Sequence, residues 1–307
     1  MAELSNDSTL CVLGCGNLGT AILTSLIEAA PSNEAGALPF TRFIACVRSE
    51  KSEQRLQARL AQHADKVRIT RNTNAQSLHS SSVVILAADP ADISALLCAP
   101  GIADALAGKL LISVAAGWTR AQLSTALYAT PISSSRATII RTLPNIAALV
   151  AHSLTAIEVP DDGDDDDSPP PPALLDLTDR IFQRVGRTVR VPPRLMAATT
   201  AVAGSTPAFF AIVCDALVDA SVAVGVPRDV ASAMVFQSMA GSAAMLQGGV
   251  HPGVLKDRGT SPEGCTIGGV MVLEEGGVRG HLGRALREAV TVARLMGARE
   301  HLNDTRQ

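Results

Sequence analysis

Three clusters of residues in this sequence have the types and spacing that chemistry requires. The first is Gly14-Cys15-Gly16-Asn17-Leu18-Gly19, a GxGxxG run that follows the apolar segment Thr9–Leu13 and opens a helical segment. In such a run the first glycine permits a tight turn, the second lets the backbone approach a pyrophosphate, and the third lets helix pack closely on strand. The free N–H groups at the helix start then face the phosphates. A lone GxGxxG is a weak signal. Set between a first strand and a helix, it predicts a dinucleotide site built on Gly14, Gly16, Asn17, Leu18 and Gly19.

The second cluster is Cys46-Val47-Arg48-Ser49, at the end of the second candidate strand. An NAD site usually carries a carboxylate there, which accepts hydrogen bonds from the ribose. Arg48 and Ser49 instead offer a cation and a hydroxyl to a ribose phosphate, so NADPH is favoured and NAD is the alternative. Ligands of such sheets sit beyond the carboxyl ends of the strands. Ala88-Asp89-Pro90, Ala115-Ala116-Gly117 and Asn145 are therefore expected to line the coenzyme, and Asn74, past the third strand, is counted with them.

The third cluster is Leu255–Ile267, which reads LKDRGTSPEGCTI. Ser261 suits a helix N-cap and Pro262 a first helical turn. Free N–H groups near Gly264, Cys265 and Thr266 would then hold a carboxylate.

The elements that position these clusters divide the chain in two. Candidate strands are Thr9–Leu13, Arg42–Val47, Val67–Thr70, Val83–Ala87, Leu110–Val114, Ala137–Arg141, Leu154–Glu158 and Thr188–Val191. Several are continuous apolar runs, as strands covered on both faces must be. Their alternation with helical stretches predicts a largely parallel, doubly wound sheet. From Arg194 onward only helices are expected: Leu195–Val202, Pro207–Val224, Arg228–Gly248, Pro262–Glu274 and Val278–Met296. The fold class is α/β, a Rossmann-type doubly wound sheet over residues 1–192 followed by an all-helical domain over residues 193–307. A helix apolar on nearly every face, as Ala208–Val224 is, must be covered, so the helical half is expected to interlock with another copy of the chain. The run DDGDDDDSPPPP at Asp161–Pro172 combines like charges with consecutive prolines and is expected to be a disordered surface loop, 160–172.

Composition sets limits. Of the 307 residues 47% are apolar, ample for a large core, and the net charge of −3 does not suggest a nucleic-acid partner. No uninterrupted apolar run of about 18 residues predicts a membrane span, and Met1–Ser8 lacks the pattern of a secretory signal. The six cysteines are scattered without a CxxC pair, which points to reduced, mostly buried thiols in a cytoplasmic protein. The histidines show no ligand spacing, and no metal site is expected.

Residue counts exclude several reductase chemistries. The single tyrosine, Tyr128, has Ile132 four residues on, so no Tyr-x-x-x-Lys pair exists. The only lysines are Lys51, Lys66, Lys109 and Lys256, and none follows the stretch Ala203–Ala208 for about 50 residues, where a β-hydroxyacid dehydrogenase needs one. No histidine–carboxylate couple stands out for oxidation of a 2-hydroxy acid.

At Leu255–Ile267 the chain resembles the pyrroline-5-carboxylate reductase family, and the likeness extends over nearly its whole length. Family-like pieces occur in family order: GCGNLG at Gly14–Gly19, SVAAG at Ser113–Gly117, RTLPN at Arg141–Asn145, AGSTPAF at Ala203–Phe209, HPGVLKD at His251–Asp257, SPEGCTIGG at Ser261–Gly269 and LEEGGVR at Leu273–Arg279. The last looks like fungal members. The resemblance implies a helical dimerisation domain and a homodimer or higher homo-oligomer with its site at the dimer interface. It implies NADPH-dependent reduction of a small cyclic imine, 1-pyrroline-5-carboxylate, to L-proline. It also implies that the loop matching Ser261–Thr266, with Gly264 and Cys265, holds the substrate carboxylate and that Thr266 hydrogen-bonds the ring nitrogen. Thr266, Ser261 and Lys256 are thereby the catalytic candidates, and Asp257, Arg258 and Gly259 are substrate-binding candidates beside Gly264 and Cys265.

The chain departs from the family pattern at three places. Glu263-Gly264 replaces two glycines and brings a negative charge, on what should be the first helical turn, near the carboxylate site. Thr206 fills space that the family leaves empty, and Ala88-Asp89-Pro90 stands for Val-Lys-Pro. The alternatives are reduction of a substituted or six-membered cyclic imine in secondary metabolism, or a nucleotide-sensing paralogue with impaired catalysis.

Overall fold

The computed structural model describes residues 8–29, 38–128, 135–160 and 169–296. Eight strands form one sheet: β1 Ser8–Leu13, β2 Phe40–Val47, β3 Val67–Arg71, β4 Val83–Leu86, β5 Leu110–Ser113, β6 Thr138–Leu143, β7 Ser153–Glu158 and β8 Gly186–Val191. Among them run α1 Asn17–Glu28, α2 Glu50–Arg59, α3 Asn74–His79, α4 Ile93–Leu97, α5 Ile102–Ala105, α6 Arg120–Leu127 and α7 Pro172–Phe182. Beyond the sheet follow α8 Pro193–Thr199, a π-helical turn Thr200–Ser205, α9 Thr206–Ala223, α10 Arg228–Gln247, α11 Pro252–Arg258, α12 Cys265–Glu275 and α13 Val278–Leu295.

The sheet order is β3-β2-β1-β4-β5-β6-β7-β8. Pairing is parallel throughout except between β6 and β7, where Thr142 faces Ile157. Successive residues of one strand point to opposite faces, and two cores follow from that alternation. Leu10, Val12, Phe43, Ala45, Val83 and Ile85 pack on one side with Ile22 and Leu26 of α1 and Ile181 of α7. Cys11, Leu13, Ile44, Cys46, Val84 and Leu86 pack on the other with Leu78, Ile93, Leu97 and Leu123. This double coverage is why the strands read as unbroken apolar runs. One buried ion pair, Arg141 with Glu158, joins β6 to β7; each charge is tolerated there because the other accompanies it. Strand order reverses between β1 and β4, so the crevice beyond their carboxyl ends is where a ligand belongs.

Ser205–Ala289 form a compact unit separate from the described residues before and after them. Gly225, at φ +94°, closes α9, and α10 starts after Pro227. Within this unit large apolar side chains face outward: Phe210, Ile212 and Leu217 on α9, Met234 and Phe236 on α10, Met271, Val272 and Leu273 on α12. An apolar surface on this scale calls for a covering partner.

Two features of the helical half extend the sequence-based expectations. The sequence offers no unbroken membrane-length apolar run, yet the helical stretch Pro193–Ala223 is long and apolar enough to cross a membrane, with a window of mean hydropathy 1.7. A run criterion stops at Asp215 or Ser205, whereas an averaged one absorbs them. Asp215 and Asp219, one helical turn apart on α9, fit poorly in lipid. Second, HPGVLKD is helical: α11 begins at Pro252, with the His251 ring Nδ1 accepting from the Gly253 N–H at 3.1 Å. Of the expected surface loop, residues 161–168 lie outside the described residues.

Candidate active site

A cleft of about 820 Å³ opens beyond the carboxyl ends of β1, β2, β4 and β5. Gly14, Gly16, Asn17, Leu18, Arg48, Ser49, Asn74, Ala88, Asp89, Pro90, Ala115 and Ala116 all line it. Gly19, Gly117 and Asn145 lie outside the lining.

The three loop glycines have separable reasons. Gly14 sits at φ +102°, and a Cβ there would come within 2.5 Å of the Ala88 nitrogen. A Cβ on Gly19 would lie 2.1 Å from the Gly14 carbonyl oxygen. The fold itself therefore requires these two. Gly16 is different: its backbone is extended, φ −71° and ψ −156°, and a Cβ would meet no described atom within 4 Å. Among the described residues nothing crowds a side chain at 16, whereas a diphosphate laid on the N-terminus of α1 would. The residues present thus fit a dinucleotide.

At the second strand end, the Ser49 hydroxyl accepts from the Ser52 N–H at 3.2 Å and caps α2. Arg48 reaches across the cleft to Asp92, with Nη1 2.6 Å from Oδ2. Asp89 accepts from the Ala91 N–H at 3.0 Å, and the Trp118 indole N–H donates to the Pro90 carbonyl at 3.0 Å. Asn145 makes two hydrogen bonds outside the cleft: its Nδ2 donates to the Ala203 carbonyl at 2.8 Å, and its Oδ1 accepts from the Ala147 N–H at 3.1 Å. Gly117, at φ +78°, packs against Met296. Ser52, Asn72 and Asp92 line the cleft beyond the residues expected there. Asn72 could have been found as the residue that follows β3. Asp92 carries no such sequence signal.

The late cluster lies in the second unit. Pro262 does not open a helix and Ser261 does not cap one. Ser261–Gly264 form a turn, with the Gly264 N–H donating to the Ser261 carbonyl at 3.0 Å, and Gly264 is the N-cap of α12. The Gly264 N–H is thereby taken. The first helical bond runs from the Gly268 N–H to the Gly264 carbonyl, so the unpaired first-turn donors belong to Cys265, Thr266 and Ile267. Thr266 is exposed. Lys256 and Asp257 form a solvent-facing ion pair on α11. Thr260 folds back on the Asp257 carbonyl, leading Arg258 and Gly259 into the turn.

Glu263 precedes α12 rather than lying on its first turn, and its φ is +56°. Proline second and a positive φ third is the pattern of a type II turn, whose third place favours glycine. A non-glycine residue there costs roughly 1–2 kcal/mol. Glu263→Gly is therefore expected to raise stability by about 1 kcal/mol, part of the relief being offset by the freer unfolded chain. Its urea midpoint shifts upward accordingly. Removing the negative charge is also expected to raise kcat/KM for a carboxylate substrate of the kind the resemblance implies; an unchanged or lower value would show that Glu263 does not repel it.

Comparison with known proteins fits both units. The family model described as pyrroline-5-carboxylate reductase dimerisation matches residues 193–296, and that described as NADP oxidoreductase coenzyme F420-dependent matches residues 9–117. The chain is 39% identical to the pyrroline-5-carboxylate reductase of Lophium arboricola, over 96% of this chain and 95% of that one. It is 35% identical to that of Neurospora crassa, over 98% and 97%. A crystal structure of Plasmodium falciparum pyrroline carboxylate reductase with NADP bound shares the fold, with a TM-score of 0.76 at 22% identity, covering 96% of this chain and 100% of that one.

Proposed function

The chain belongs to the pyrroline-5-carboxylate reductase family, and from that membership we propose that it reduces 1-pyrroline-5-carboxylate to L-proline with NADPH. The observation that carries the coenzyme assignment is the open space at Gly16 above the start of α1.

When bound, the reduced nicotinamide supplies hydride. The chain's residues do the rest. Gly14, Gly16, Asn17 and Leu18 would seat the diphosphate on the N-terminus of α1. Arg48 and Ser49 would hold the ribose phosphate. The free N–H groups of Cys265 and Thr266 hold the substrate carboxylate, and the Thr266 hydroxyl fixes the ring nitrogen. With the nitrogen held in its protonated form, hydride at the C=N carbon would give the amine. A protonated imine is already electrophilic, so orientation rather than a strong general acid supplies most of the rate. That fits a sequence in which no histidine–carboxylate couple stands out. Ser261 sets the turn, and Lys256, Asp257, Arg258 and Gly259 shape its approach. The functional division then falls at residues 192 and 193.

The outward apolar faces of α9, α10 and α12 support a homodimer or larger homo-oligomer, and six free thiols support a cytoplasmic setting. Sedimentation at micromolar protein is expected to give a species larger than one chain; a monomer would refute the assembly. The activity is tested by absorbance at fixed NADPH with five- and six-membered cyclic imines. Fastest consumption with pyrroline-5-carboxylate supports the proposal, and none with any imine overturns it.

A further inference from the structure

We infer that Asp92 sets the coenzyme preference of this enzyme by competing with the ribose phosphate for Arg48; the inference rests on the NADPH reading above. The charged side chains lining the cleft are Arg48, Asp89 and Asp92, one cation against two carboxylates. Asp89 is occupied in capping the turn Pro90–Asp92 through the Ala91 N–H. That turn carries Asp92 to the cleft wall opposite Arg48. Their ion pair, at 2.6 Å, is the one hydrogen bond seen for Arg48 among the described residues.

Among the described residues the Asp92 side chain makes no other hydrogen bond. It occupies the N-cap position of α4, yet its side chain makes no capping hydrogen bond. The pair is also solvent-facing, with side-chain exposures of 81% for Arg48 and 44% for Asp92. Such pairs add little stability, so the bridge opens at small cost. Its consequence lies in binding. A 2′-phosphate must draw Arg48 away from Asp92 and accept a carboxylate nearby. A coenzyme with a free 2′-hydroxyl leaves the bridge closed. Asp92 therefore lowers affinity for the phosphorylated coenzyme while sparing the other, and narrows a preference that Arg48 and Ser49 would otherwise widen.

The test is calorimetric titration of the full chain and of Asp92→Asn with NADP+ and with NAD+, without turnover. Asparagine keeps the shape and removes the charge. Asp92→Asn is expected to tighten NADP+ by about fivefold, the scale of one exposed charge pair, and to leave NAD+ within about twofold. Arg48→Gln in the same background is expected to abolish most of that gain. A ratio of the two affinities that is unchanged in Asp92→Asn, or that moves toward NAD+, overturns the inference: Asp92 would then be neutral, or would hold Arg48 in place for the phosphate. If the wild type binds NADP+ and only the ratio fails to move, the coenzyme reading stands alone. If the wild type binds neither coenzyme, both fall.

Discussion

Gly16→Val is expected to leave the protein folded while weakening NADPH binding by about a hundredfold, or roughly 2.7 kcal/mol. The reason is local. Gly16 has a backbone conformation open to valine, and its missing side chain borders empty space. The new methyl groups would stand in the cleft over the N-terminus of α1, where the diphosphate must approach. Gly14 and Gly19 make the contrast. There an added Cβ strikes the Ala88 backbone or the Gly14 carbonyl, so Gly14→Val and Gly19→Ala lower stability before any ligand is considered. Thermal melting with NADPH titration separates the two classes. A Gly16→Val protein that binds NADPH like the wild type would remove the diphosphate from this loop.

The second large effect is expected at Thr266. Thr266→Val keeps the shape and the backbone N–H but removes the hydroxyl. Loss of one preorganised hydrogen-bonding group at a reacting atom costs about a hundredfold in kcat. Thr266→Ser should recover most of it, because serine restores the hydroxyl. Thr266 is exposed at the start of α12, so stability should change little, and coenzyme affinity should hold, since the cleft lies in the other unit. If valine and serine variants behave alike, the hydroxyl does not orient the nitrogen.

Much of this architecture is legible in the sequence because burial on both faces writes strands as apolar runs. Val83–Leu86 and Leu110–Ser113 are examples, and both appear within a residue or two of their expected ends. The glycine loop is equally plain, since Gly14 and Gly19 answer to backbone contacts. The late cluster is read less well for a physical reason. Proline has the same φ in the second place of a turn as in the first turn of a helix, so Ser261-Pro262 suits both. Only the positive φ of Glu263 separates them, and a glutamate hides that signal where glycine would announce it. The helix α11 is missed because its seven residues are too few to show a period. Asn145 sits at a strand end, as coenzyme ligands do, and its amide also donates to the Ala203 carbonyl and accepts from the Ala147 N–H. Asp92 meets Arg48 only through the topology that sets β4 beside β1, at a separation of 44 residues.

The most direct measurement uses NADPH fully deuterated at C4 of the nicotinamide ring, incubated with the enzyme and 1-pyrroline-5-carboxylate. Mass and proton spectra of the product should show L-proline with one deuterium, at the ring carbon that was double-bonded to nitrogen, in amount equal to the NADPH consumed. Unlabelled proline, label at another carbon, or no proline at all would contradict hydride transfer from a coenzyme held by the glycine loop to an imine held at the start of α12.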